Sequence, residues 1–234
     1  MFKDLIIQAD TNTKVLNARE RSRLETRNRL LEAGAELFSR DGYEKTSVSA
    51  IAAKAQVATG TLFFHFKNKE GLLAEIGLYY YNELHNRLRA SNRRPAKNVE
   101  HSVRMHTETI VNFFEENKSL FSQIFNRWTT GLEVWDKVSQ LLINEQIDRL
   151  KEGITEGLFR EDIDLEIAAQ GILGMNSRVL SWWLNHSTGL NKEKVIDTLT
   201  KMTFSGIYNS NHFTSKNKTH PCRHNIPKLC ARKS

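Results

Sequence analysis

Residues 26–73 read TRNRLLEAGAELFSRDGYEKTSVSAIAAKAQVATGTLFFHFKNKEGLL, and short helical patterns alternate there with turn signals. Leu30, Leu31, Gly34, Leu37 and Phe38 recur at i, i+1, i+4, i+7 and i+8, one face of an amphipathic helix that Asp41-Gly42 ends. Thr46 or Ser47 can cap a second helix, in which Val48, Ile51, Ala52 and Ala55 keep the same period. Val57, Leu62 and Phe66 give a short third helix, near Thr59 to Phe64, a single buried edge. Asn68 can cap a fourth, running through Leu72, Leu73, Ile76, Tyr80 and Leu84 toward Pro95. Two short helices joined by Ala55-Gln56-Val57 behind a longer one make a three-helix unit of helix-turn-helix type.

Outward from this unit the chain stays helical. Periodic patterns cover about Val99 to Glu116, Leu120 to Trp128, Glu133 to Gly157, Asp164 to Leu184 and Lys192 to Tyr208. Gly157 reads as a helix C-cap, and Asn185 to Asn191 is rich in breakers. The expected fold is all-α, a small front unit followed by a larger helical body. The expected divisions are an N-terminal extension at 1–18, the helix-turn-helix unit at 19–73, the body at 74–210 and a tail at 211–234. The tail is polar, basic and Pro-broken, and reads as disordered.

The net charge of +7 is unevenly spread over the 234 residues. The tail holds six Lys and Arg and no acid, residues 19–73 hold ten basic and seven acidic residues, and the remainder is mildly acidic. This division points to a polyanion partner for the front of the chain. The longest apolar runs are too short to span a bilayer, and no signal-peptide pattern opens the sequence. Both Cys fall in the last thirteen residues, so no disulfide framework is expected and a reducing cytoplasm is the natural home. Nucleophile elbow, P-loop, dinucleotide fingerprint and His-Glu-x-x-His are all absent, which argues against an enzyme. His220, Cys222, His224 and Cys230 match no common zinc spacing, so neither metal nor cofactor is expected.

Thr26 to Leu73 resembles the DNA-binding domain of the TetR family of bacterial transcriptional regulators. The resemblance rests on Ala33, Leu37-Phe38, Gly42-Tyr43, Thr46-Ser47, Ile51-Ala52, Ala55, Val57, Gly60-Thr61-Leu62, His65-Phe66, Lys69-Glu70 and Leu72-Leu73. It implies that Thr59 to Phe66 is the recognition helix. The small Thr59, Gly60 and Thr61 would face base edges, with the Ala58 methyl beside them, in a major groove that admits only a narrow helix. Thr46 and Ser47 would hold a phosphate at a helix N-terminus and Lys69 would add a point charge. Phe63, Phe64 and His65 complete the implied contact set. Three positions depart from the family pattern: Gln56 stands where a left-handed Gly is usual, Ala58 where a capping Ser is usual, and Phe63 where a Tyr hydroxyl is usual.

The resemblance also implies a ligand chamber and a two-fold interface in the body. Met105, Phe113, Phe121, Phe125, Trp128 and Trp135 form an aromatic and Met stripe that suits either a small hydrophobic ligand or ordinary core packing. Small residues at Gly171 and Gly174, with Ile167, Met175, Arg178 and Leu180 to Leu184, face an apolar stripe of Val195, Leu199, Met202 and Ile207. A four-helix interface between two chains would use both. The expected protein is a homodimeric, ligand-responsive repressor of a double-stranded DNA operator, with no membrane partner. An activator, a ligand-independent DNA binder, an interaction module and a small-molecule enzyme are the alternatives.

Overall fold

The computed structural model describes residues 17–93, 95–121, 133–186 and 189–208, with side chains at 133–137 left undescribed. Eight helices lie wholly within the described residues, and residues 118–121 are helical as well. The first, α1 (Ala18–Asp41), starts well before Leu30 because Asn17 and Glu20 cap each other's backbone reciprocally. It ends at Gly42, which takes φ 85 and returns its N–H to Phe38. Then follow α2 (Val48–Lys54), α3 (Thr59–Phe66) and α4 (Lys69–Asn92). The body adds α5 (Val99–Glu116), α6 (Glu133–Thr155), α7 (Leu165–Asn185) and α8 (Lys192–Ile207). Asn68, Asn98, Asp164 and Asn191 each accept a backbone N–H at a helix start, which fixes four boundaries within a residue or two of those read from the sequence. Among the described residues no helix is long and apolar enough to cross a membrane. The only β geometry there is a single bridge between Phe159 and Tyr208.

The seam expected between residues 73 and 74 falls inside α4, so the front unit and the body share one rigid element. Leu72, Leu73 and Ile76 on α4 pack against Leu30, Leu31, Phe38, Ile51 and Leu62. The same buried cluster continues through Tyr80, Leu84 and Leu88 to Val111, Phe113, Leu180 and Leu199. A second cluster gathers Val103, Ile143, Leu150, Phe159, Ala169 and Ile207 at the far end of the body. Helix α4 packs on both α5 and α6, α5 packs on α8, and α6 packs on α7, while α5 and α6 scarcely approach each other.

Candidate nucleic-acid interface

Helix α3 is held from one side only. Leu62 is fully buried and Phe66 nearly so, as the single apolar edge predicts. On the opposite side Thr59 and Gly60 are exposed, and so are the rings of Phe63 and Phe64, at 47% and 68%. A Cβ built on Gly60 meets nothing, so no packing inside the chain requires a glycine there. Two bulky rings and a glycine on one open face give the fold nothing, and they suit a surface that approaches a partner closely.

The backbone brackets this helix with two left-handed residues, Gln56 at φ 56 before it and Lys67 at φ 64 after it. Each costs roughly 1 kcal/mol over a right-handed residue, a strain concentrated at the two ends of α3. Gln56 matches the position where the family pattern has Gly. Lys67 was not foreseen, because a lysine carries no sequence signal for a positive φ. Gly71 was also missed: a Cβ there would stand 2.0 Å from the Phe66 carbonyl oxygen, so the start of α4 touches the end of α3 through bare backbone.

Polar side chains lock the turns behind α3. Thr46 is buried and donates its hydroxyl to the carbonyl of Gly42 at 2.7 Å. It therefore offers no hydroxyl to a phosphate, and Ser47 alone caps α2, accepting from the Ala50 N–H at 3.1 Å. Lys69 likewise departs from expectation. Its Nζ donates to the carbonyls of Tyr43 at 2.9 Å and Thr46 at 3.1 Å and lies 4.2 Å from the centre of the Tyr43 ring. It is a strut between α4 and the α1–α2 turn, not a loose charge awaiting phosphate. The Tyr43 hydroxyl in turn donates to Glu70 at 2.8 Å. Ala58 is the N-cap residue of α3 without a side-chain hydrogen bond, and Thr59, lying inside the helix, does not take over that role.

Arg23, Lys45 and Lys67 are all exposed. Arg23 sits 5.2 Å from the centre of the Phe64 ring. His65 is half-buried between the rings of Phe64 and Phe66, and its pKa is lowered by burial and then by Arg23 and Arg27. Thr61 is half-buried at the edge of the open face.

In the body the expected ligand stripe divides. Phe113 and Phe121 are buried and packed ring to ring with Tyr80 and Phe114, at centroid distances of 4.4–6.2 Å. As placed they are core, which corrects their assignment to a ligand wall. Met105 is half-buried on α5. Phe125 and Trp128, the Trp135 side chain, the N-terminal residues 1–16 and the tail with its His and Cys lie outside the described residues. The expected interface divides too. Ile167, Gly171, Gly174, Arg178 and Trp182 form one exposed stripe along α7, with Met202 and Gly206 exposed on α8. Between them runs an apolar groove of about 400 Å³ bordered by Ile167, Gly171, Met175, Met202 and Gly206. Val195, Leu199, Ile207, Leu180 and Leu184 are instead buried within the chain's own core, because that face of α8 packs on α5 and that face of α7 on the body.

The family model for bacterial regulatory proteins of the tetR family matches residues 30–76, from the first buried leucine of α1 to Ile76 in α4. That match makes residues 30–76 a TetR-type DNA-binding domain, and the chain is a DNA-binding transcriptional regulator and not an enzyme. The similarity extends past the front unit. The Fatty acid metabolism regulator protein of Bacillus subtilis is 25% identical over 186 residues, covering 77% of this chain and 94% of that one. The HTH-type transcriptional repressor KstR2 of Mycobacterium tuberculosis is 26% identical over 172 residues, covering 67% of this chain and 80% of the relative. The crystal structure of FadR from Bacillus subtilis in complex with stearoyl-CoA shares the fold, with a TM-score of 0.64 and 22% identity over 77% of this chain and 98% of that chain.

Proposed function

We propose that the chain is a homodimeric repressor that leaves a near-palindromic operator when a small, largely apolar ligand occupies its helical body. The observation that carries the reading is the one-sided burial of α3, anchored by Leu62 and Phe66 while Thr59, Gly60, Phe63 and Phe64 stand open. Thr59, Gly60 and Thr61 would meet base edges, with Ser47, Lys45 and Lys67 toward phosphate. The exposed stripe of α7 and α8 supports dimerisation, because glycines there let a second pair of helices approach closely. Two recognition helices would then enter successive major grooves about 34–36 Å apart. Helix α4 is the mechanical link, since it carries the front unit at one end and packs on α5 and α6 along the other. A ligand that changes how α4 rests on α5 and α6 would change the spacing of the two α3 helices.

The ligand class follows from relatives, whose names speak of fatty-acid regulation and, in one complex, of stearoyl-CoA. A lipid-derived ligand is the reading they favour. Mobility-shift titration against the DNA flanking the chain's own gene tests the core of it. A sequence-specific shift that acyl compounds reverse supports the reading, and absence of any specific shift at low salt removes it.

A further inference from the structure

The body holds polar groups that nothing in the chain completes. His106 on α5 has its Nδ1 sealed from solvent without a hydrogen-bond partner. Arg149 on α6 lies close enough for its charge to act on the His106 ring. Among the described residues Arg149 makes no hydrogen bond and no ion pair, and burial lowers its pKa to about 10 against the nearby charges of Glu145 and Glu152, which raise it. Glu145, one turn earlier on α6, does not neutralise it by contact. Its Oε1 stands 3.0 Å from His85 Nδ1 on α4, and its Oε2 has no hydrogen bond.

Both His106 and Arg149 sit deep among protein atoms, yet each keeps some accessible surface. Helices α5 and α6 both rest on α4 but scarcely approach each other, and His106 and Arg149 lie on these two helices. Beside them Val103 on α5 and Ile143 and Leu150 on α6 are buried in one packed apolar cluster, with Ile147 against it. A guanidinium taken from water without a carboxylate is costly, so an uncompleted one marks a place where an anion belongs. Guanidinium fits carboxylate and phosphate with two parallel N–H donors, and a neutral imidazole can add a third.

We propose that Arg149 and His106 form the polar end of the ligand chamber and hold the carboxylate or phosphate of an otherwise apolar effector. This deepens, and rests on, the ligand-responsive reading above. It assigns the charged end of the ligand to the gap between α5 and α6 and leaves the Tyr80, Phe113, Phe114 and Phe121 cluster as core.

Calorimetric titration of the full chain with palmitate, palmitoyl-CoA and hexadecanol, each below its critical micelle concentration, tests this. At least one charged probe binds ten-fold or more tightly than hexadecanol, palmitate if the group is a carboxylate and palmitoyl-CoA alone if it is a phosphate. Arg149→Met removes that preference by weakening the charged probe ten-fold while leaving hexadecanol unchanged. Arg149→Lys, which keeps the charge but loses the fork, weakens it at least three-fold and serves if Arg149→Met does not fold. Equal binding of all three probes, no binding of either charged probe, or unchanged binding by the Arg149 variants overturns the assignment. Loss of specific operator binding in the unsubstituted chain would instead defeat the regulator reading, and the calorimetry would still judge Arg149.

Discussion

The front unit and the body treat their polar groups in opposite ways. Around α3 three polar side chains are matched before any partner arrives: Thr46 to Gly42, Lys69 to two carbonyls, Tyr43 to Glu70. In the body His106 Nδ1, Glu145 Oε2 and Thr200 Oγ1 are sealed without a hydrogen bond, and Arg149 has no counter-ion in contact. A helix that must present bases with a fixed surface has to be stiff in the free protein, since ordering it on arrival would weaken binding. A chamber that must respond to a ligand gains from groups only the ligand completes, because differential stabilisation is what shifts a population. The first region is finished without its partner and the second is not.

Breaking the finished region has the largest effect. Phe66→Ala removes the ring that pins α3 to α4, and denaturant unfolding registers a loss of about 3–5 kcal/mol. Operator binding falls with it. Gly71→Ala is a smaller chemical change at a tighter spot. Its methyl would meet the Phe66 carbonyl, which is backbone and cannot swing aside. The expected cost is about 2–3 kcal/mol, with specific DNA binding lost while the calorimetric ligand response is retained. A Gly71→Ala chain that binds operator normally would show that α3 is not positioned through this contact. Gly60→Ala is the control, since its methyl meets nothing in the free chain. Stability rises slightly, by up to about 1 kcal/mol, as for any exposed helical glycine, while specific DNA binding weakens.

The contrast also explains what could be read from the sequence. Helix limits were legible because caps are local: Asn68, Asn98, Asp164 and Asn191 announce themselves within three residues. The anchoring of Leu62 and Phe66 was legible from period alone. The fate of Thr46 and Lys69 was not, because a Thr before a helix and a Lys at the next one fit a phosphate contact as well as a strut. Only the fold of the α1–α2 turn toward the start of α4 decides between them. The same holds for Val195 and Leu199, which one stripe of periodicity cannot assign to the chain's own core or to a partner's. His106 and Arg149 left no signal at all, since a His or an Arg on a polar helix face is ordinarily solvated. Their meaning lies in the gap between two helices distant in sequence.

A pair of matched substitutions sharpens the comparison directly. Lys69→Met strands the Tyr43 and Thr46 carbonyls and lowers stability by about 1–2 kcal/mol. Arg149→Met removes a desolvated cation that no hydrogen bond or ion pair completes and raises the stability of the ligand-free chain by about 1 kcal/mol. Opposite signs in urea unfolding mark one lysine as structural and one arginine as held in reserve for a ligand. The same sign for both would erase the distinction between the regions.

The smallest effect is in the pH dependence, and it carries both regions at once. His65 and His106 each have a folded pKa below 6.5, the first by burial and the Arg23 and Arg27 charges, the second far below it by burial and Arg149. In each case the unfolded chain binds the proton more readily, so stability is full above pH 6.5 and declines as pH falls below it. Between pH 7.5 and 6.0 the loss from His106 is at most about 1 kcal/mol, and His106→Gln removes that part while leaving the portion due to His65. An anion placed beside either ring favours its protonated form and raises its pKa. Imidazole resonances followed by NMR should therefore move independently. Operator DNA raises the pKa of His65 and leaves His106 alone, whereas the charged acyl probe raises that of His106 and leaves His65 alone. A probe that shifts His65 as strongly as His106 would mean that it enters at the DNA face, and the two regions would not then divide recognition and sensing between them.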